Sequence, residues 1–233
     1  CIQPLIMSAN GKAKKAIIFD CDNTLWGGIL GEDGKDGIAL SADANNGVIF
    51  REIQYIALSL SQQGIILGLC SKNNSEDVDE LLNYHPDMIL QDKDIAIKKV
   101  NWSDKATNIK AISKELNIGL DSIVFVDDSL FEINLVKKLL PDVIALHVPE
   151  KLFEYPTMLR NNLGLFYGLS NSKEDSAKTK MYREKIHREK KRSEFSTLSE
   201  YLASLSMCIT IYKNEESLVA RQAQITQKTN QFN

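Results

Sequence analysis

The chain predicts an α/β protein: a doubly wound, mostly parallel five-stranded sheet with a smaller C-terminal α+β subdomain. Two observations carry this. Short apolar runs alternate with segments whose apolar residues recur at helical spacing, the pattern of strand–helix–strand units with right-handed crossovers. Most of the polar residues with chemical potential fall just beyond the C-terminal ends of apolar runs, the edge where such sheets bind ligands.

In order, Ala16 to Asp20 reads as a strand, and Gly27, Gly28, Gly31, Gly34 and Gly37 punctuate a turn-rich hairpin or flap through Leu40. Residues 47 to 62 place Val48, Ile49, Ile53, Ile56, Ala57 and Leu60 on a helical stripe that Gly64 ends. Ile65 to Cys70 is a second buried strand, and Ser75, followed by Glu76 and Asp77, caps a helix to about Tyr84. Met88 to Leu90 reads as a short third strand. Asp104 to Asn117 is helical, Ile123 to Val126 a fourth strand, 130 to 140 a helix and Val143 to Val148 a fifth strand. Between Ser176 and Arg192 there are eight Lys/Arg against two Glu, a solvated basic helix or a docking face for an acidic partner. Beyond it, 198 to 205 reads as helix, 207 to 212 as strand and 218 to about 228 as helix. The expected division is a core over 1–150 and a subdomain or lid over 151–233.

Composition narrows the function classes. With 43% hydrophobic residues in 233 and a net charge of −3, the chain is an ordinary globular one, expected in the cytoplasm. No apolar run approaches the roughly 20 residues of a membrane span. Net charge and the lack of aromatics among the basic residues argue against a nucleic-acid partner. Cys1, Cys21, Cys70 and Cys208 form neither a metal-knuckle spacing nor a disulfide framework, and His85, His147 and His187 show no metal spacing. Opening on Cys and stopping at Asn233, the chain reads as a piece of a longer polypeptide.

The chemistry concentrates at Asp20-Cys21-Asp22-Asn23-Thr24-Leu25-Trp26, directly after the first strand. Two carboxylates two residues apart at a strand end can face one pocket, one attacking phosphorus and the other moving a proton. Asp20 is the expected nucleophile and Asp22 the acid. Their approach to a phosphate dianion requires screening by a cation and a lysine. Mg is expected on Asp20, Asp22 (through its carbonyl), Asp127 and, as an outer partner, Asp128. Ser71, Asn73 and Lys105 are expected to hold phosphate oxygens. Each alone is ordinary turn or capping chemistry. Their convergence on one sheet edge is what gives them weight.

These motifs resemble the haloacid dehalogenase-like superfamily, with its Asp-x-Asp-x-Thr, Ser, Lys and acidic-pair motifs. More narrowly, Asp20 to Gly28, Gly31 to Gly34, Cys70 to Asn74, Asn101 to Lys105 and Gln227 to Asn233 resemble the FkbH-like branch. The resemblance implies a core without a large inserted cap and a place in polyketide biosynthesis. It further implies transfer of a glyceryl unit from 1,3-bisphosphoglycerate, with dephosphorylation, to the phosphopantetheine thiol of an acyl carrier protein. The chain departs from the branch after the acidic pair, where Ser129-Leu130-Phe131-Glu132-Ile133 replaces Asn-Pro and a Glu-Arg pair.

Cys21 has two readings. Strand alternation turns it away from Asp20 and Asp22 as a small buried group. Against that, the curl of the loop and a nearby cation favour a thiolate, and the resemblance implies an acyl thioester there, with Cys70 as the weaker alternative. An acyltransferase coupled to phosphate removal, a plain Mg-dependent phosphatase and an idle docking module therefore stand as the alternatives.

Overall fold

The structure is a computed structural model that describes residues 13–41, 46–167, 178–208, 210, 211, 213 and 216–219. Five strands, β1 (Ala16–Phe19), β2 (Ile66–Ser71), β3 (Ile97–Val100), β4 (Ile123–Asp127) and β5 (Ile144–His147), form one sheet in the order β3-β2-β1-β4-β5. Every pairing is parallel. The expected fold class is the one observed.

Strand alternation sorts the core into two apolar layers. Ile17, Phe19, Leu67, Leu69, Val124 and Val126 face one layer, covered by α2 (Gly47–Gln62), α3 (Ser75–Tyr84) and α6 (Tyr155–Asn161). Ala16, Ile18, Ile66, Cys70 and Phe125 face the other, covered by α4 (Lys105–Leu116) and α5 (Leu130–Leu139). The helix stripes supply the complementary surface: Phe50, Ile53, Ala57 and Leu60 on α2, and Ile109, Ile112 and Leu116 on α4. The α4 stripe matches the spacing legible in the sequence, whereas on α2 the expected Val48 is exposed and Phe50 is buried in its place.

Helix ends bring the site residues to one edge. Asp104 caps α4 by accepting from Thr107 N–H, and Ser129 caps α5 by accepting from Glu132 N–H. Both caps sit at the carboxyl edge of the sheet, so both helix N-termini open beside the ends of β1 and β4. The cap expected at Ser75 is not formed: Asn74 is the N-cap residue, without a side-chain hydrogen bond, and Ser75 is already helical.

Two expected elements differ. The Gly-rich segment is not a hairpin but a short helix, α1 (Leu30–Gly37), kinked at Gly34 (φ 68°) and held by a single antiparallel bridge between Gly27 and Ala39. Met88 to Leu90 is not a strand. The Gln54 side chain accepts from the N–H groups of Ile89 and Leu90, at 2.9 and 3.0 Å, and so satisfies the backbone that a sheet neighbour would otherwise satisfy. The third strand comes seven residues later.

By internal contacts the chain forms two units, Cys1–Arg188 and Glu189–Asn233. Residues 151–166 lie in the first, with Tyr155, Leu159 and Phe166 in its core. Most of α7 (Lys178–Ser193) also belongs there, with Arg183 paired to Asp92 at 2.7 Å. In the second unit α8 (Leu198–Ser204) is capped by Thr197, and Phe195 packs on Tyr201. Met207, Cys208, Thr210 and Ile211 do not form the expected strand. The helix expected beyond Leu218 and the motif Gln227 to Asn233 lie outside the described residues. No helix among the described residues is long and apolar enough to cross a membrane.

Gly68 tests the sheet packing. A Cβ there would stand 2.6 Å from Ile18 Cδ1 and 2.9 Å from Ile97 Cγ2. Gly68→Ala is expected to destabilise the fold by about 1–3 kcal/mol through overpacking between neighbouring strands, read as a lower urea midpoint at unchanged slope.

Candidate active site

The site grows from the end of β1. Asp20 N–H donates to the Val126 carbonyl at 2.9 Å, extending the ladder by one residue before the chain turns. The turn closes as Thr24 and Leu25 N–H donate to the Cys21 carbonyl, with Asn23 in the left-handed region (φ 51°). Asn is one of the residues that tolerates that conformation, and its side chain accepts from Gly28 N–H at 2.9 Å.

At the centre is a buried ammonium between two buried carboxylates. Lys105 Nζ lies 2.9 Å from Asp20 Oδ1 and 2.5 Å from Asp127 Oδ2. All three side chains are at least nine-tenths buried. Carboxylate oxygens of Asp20, Asp127 and Asp128 lie within 4.8 Å of one another. Three carboxylates against one ammonium leave two uncompensated negative charges in a water-poor place.

The acids respond accordingly. Burial raises Asp20 to about 6, with the Lys105 charge opposing and the Asp127 charge reinforcing the rise. Burial likewise raises Asp127, against the pull of Lys105, and raises Asp128 with help from the Asp20 charge. Burial alone would lower Lys105, but Asp20 and Asp127 outweigh it and hold the ammonium charged. An all-oxygen, doubly negative cluster suits a hard divalent cation such as Mg, which Asp20, Asp127 and Asp128 would hold.

Asp22 stands apart from that cluster. Its Oδ1 accepts from Trp26 Nε1 at 2.9 Å and Leu30 N–H at 3.1 Å, and its Oδ2 accepts from Asn73 Nδ2 at 2.8 Å. Both carboxylate oxygens are thus engaged by N–H donors, which leaves its carbonyl, the atom that the sequence suggested, for the cation. Asn73 also departs from expectation. Its amide nitrogen donates to Asp22 and, at 3.4 Å, to Ser71 Oγ, so it orients those two side chains and has no donor left for phosphate. Ser71 is buried beside Asp20, where its hydroxyl helps to lower the Asp20 pKa.

Cys21 is buried in the apolar layer with Ile17, Phe19 and Leu25. Burial, then the Asp20 charge, pushes its thiol well above the usual range, and hydrogen bonding with Ser71 only partly offsets this. The thiolate expected from a nearby cation is therefore not favoured in this arrangement. Cys70 faces the opposite layer and is also pushed up by burial. Trp102, three residues before Lys105, is 72% exposed.

Two features escaped the sequence reading. The wholly buried Trp26 fixes Asp22 through its ring N–H, although only the proximity of an aromatic to the motif hinted at it. Lys72 donates to buried Glu132 at 2.7 Å, clasping the loop after β2 to the start of α5. Those residues are 60 positions apart, and nothing local announces the pair.

Asp20→Asn tests the electrostatics. A carboxyl raised in the folded state costs stability that is absent below about pH 4 and complete above about pH 6. In chelator, Asp20→Asn is expected to stabilise the protein by on the order of 2–3 kcal/mol at pH 7.5 and to lose that advantage by pH 4. Denaturant midpoints against pH read this out.

No family model matches the chain, and no curated protein matches it. Among solved structures, the N-terminal part of BF1531 from Bacteroides fragilis, containing a phosphatase domain and complexed with Mg, is 40% identical with a TM-score of 0.69. The match covers 72% of this chain and 44% of that one, so the chain spans less than half of that structure's length. A HAD-superfamily hydrolase of subfamily IA from Geobacter sulfurreducens is 19% identical over 58% of this chain and 89% of its own, at a TM-score of 0.40. A HAD family enzyme from Bacteroides thetaiotaomicron, in complex with magnesium and inorganic phosphate, is 12% identical over 57% of this chain and 93% of its own, at 0.40. At those scores the last two bear no weight in reading the site. The fold of this chain is thus similar to that of a structure that contains a phosphatase domain and was solved with Mg.

Proposed function

We propose that the chain is a Mg-dependent phosphoryl-transfer enzyme in which Asp20 is the nucleophile. The observation that carries this is the bridging of Asp20 and Asp127 by buried Lys105, beside Asp128. An ammonium and a cation are what a carboxylate needs before it can approach a phosphate dianion. Mg, when bound, supplies Lewis-acid charge neutralisation at the phosphoryl oxygens. The chain's own residues do the rest. An Asp20 oxygen forms the bond to phosphorus as the bond to the leaving oxygen breaks, and Asp22, fixed at both oxygens, exchanges the proton there. Lys105 carries three N–H donors and spends two on carboxylates, leaving one for a phosphoryl oxygen. Ser71 supplies another donor. Water then cleaves the aspartyl phosphate and restores Asp20.

For the substrate we propose the glyceryl transfer implied by the FkbH-like resemblance: 1,3-bisphosphoglycerate as donor and the phosphopantetheine thiol of an acyl carrier protein as acceptor, in polyketide biosynthesis. The carrier sulfur forms the bond to the acyl carbon as the bond from that carbon to the phosphate oxygen breaks, inorganic phosphate leaves with the thiol proton, and the remaining phosphate ester is the one that Asp20 removes. The motif strings support this reading. So does the access: only short α1 and its flanking turns stand between β1 and α2 among the described residues, which leaves room for a macromolecular acceptor. The high thiol pKa of Cys21 favours transfer straight to the carrier over an enzyme thioester.

The test is phosphate release together with intact mass after brief exposure to Mg and freshly made 1,3-bisphosphoglycerate, without carrier. Asp20→Asn is expected to lose at least about a thousandfold in phosphate release, whereas Cys21→Ser keeps most of it. Unchanged release by Asp20→Asn contradicts the carboxylate mechanism. A hydroxylamine-labile glyceryl adduct mapped to Cys21 contradicts direct transfer and makes that thiol the acyl acceptor.

A further inference from the structure

Tyr155 opens α6, and its side chain is wholly buried in the apolar layer that holds Cys21, Val126 and Val148. The chain leading to it is tied to the acidic loop. Val148 N–H donates to the Asp127 carbonyl at 2.9 Å, and His147 Nε2 lies 2.8 Å from the Asp128 carbonyl. Yet the Tyr155 hydroxyl has no hydrogen-bond partner among the described residues. A buried tyrosine hydroxyl usually finds one, because water is what it gave up on folding. Phenylalanine would fill the same apolar space without that cost.

The surroundings of the hydroxyl identify the missing partner. After burial, the charges that act on it are those of Asp20, Asp128 and Asp127, and together they push the phenol well above its usual range. A phenol is an O–H at neutral pH, and its oxygen can accept a hydrogen bond. Those three residues are the same ones whose oxygens converge within 4.8 Å. Water on a divalent cation is polarised and donates strongly, and a neutral phenol oxygen beside the cation's carboxylates is a suitable acceptor for it.

We propose that Tyr155 is a positioning residue of the cation site, its hydroxyl pairing with a water that the divalent cation carries into the Asp20, Asp127 and Asp128 cluster. This rests on the Mg-dependent reading of the site. It assigns to a residue outside all the sequence motifs a part in binding the cation, and a buried hydroxyl acquires its partner only when the cation binds.

Calorimetric titration of the full chain with Mg alone, with no substrate present, tests it. Wild type is expected to bind Mg, and Tyr155→Phe to bind it about tenfold more weakly, while its melting temperature in chelator is not lowered. Equal Mg affinity in the two proteins overturns the role of Tyr155 and leaves the Mg-dependent reading standing. No Mg binding by wild type overturns both. Should Tyr155→Phe fold poorly, 3-fluorotyrosine placed at position 155 gives a second readout. A fluorine resonance that moves along the same Mg titration curve supports the proposal, and one that does not move overturns it.

Discussion

The buried ammonium of Lys105 between Asp20 and Asp127 is the interaction on which the rest of the site depends. It joins three elements that meet at one sheet edge: the end of β1, the end of β4 and the first turn of α4. Removing Lys105 costs several kcal/mol, on the order of 3–5, because two buried carboxylates are then left without a partner in a place that excludes water. The pairing also leaves the acids incompletely neutralised, as the upward shifts of Asp20, Asp127 and Asp128 record. Binding of a cation would relieve the same excess of charge that burial imposes. Stability and chemistry pull in opposite directions at Asp20, a familiar condition of functional sites.

Around this centre a second set of bonds holds Asp22, the proposed proton-transfer group. Asp22 takes donors from Trp26, Leu30 and Asn73, which belong to the motif loop, the start of α1 and the loop after β2. The Gly-rich segment thus does more than border the site. By donating the Leu30 N–H it couples the seating of α1 to the orientation of Asp22. Lys72 and Glu132 provide a parallel link between the loops after β2 and β4, on either side of β1. Ser71 and Asp127 are therefore held in register by side chains that lie outside the buried Lys105 cluster.

Much of this was legible in the sequence. Strand ends such as Phe19-Asp20 and Val126-Asp127 announce themselves, because an apolar run followed by acids is a local signal and the parallel topology gathers all such ends on one edge. Local signals failed where the partner is distant. Nothing near Met88 says that Gln54 will satisfy the backbone there, so an apolar triplet read as a strand. Alternation suggested that Cys21 is a small buried group, and it does lie in an apolar layer. The i, i+2 spacing of Asp20 and Asp22 suggested one shared pocket, but nothing near it said that Asn73, 51 residues later, would fix the Asp22 carboxylate. Tyr155 lay beyond the expected core boundary and outside any motif, yet it is wholly buried next to the acids.

The central claim is that Asp20 receives the phosphoryl group. Its most direct measurement is rapid acid quench of the enzyme with Mg and acetyl phosphate, followed by borohydride reduction and peptide mapping. The account predicts homoserine at position 20, the reduction product of an aspartyl phosphate. Phosphate released with aspartate intact at 20, or with homoserine at 22, 127 or 128 instead, contradicts it.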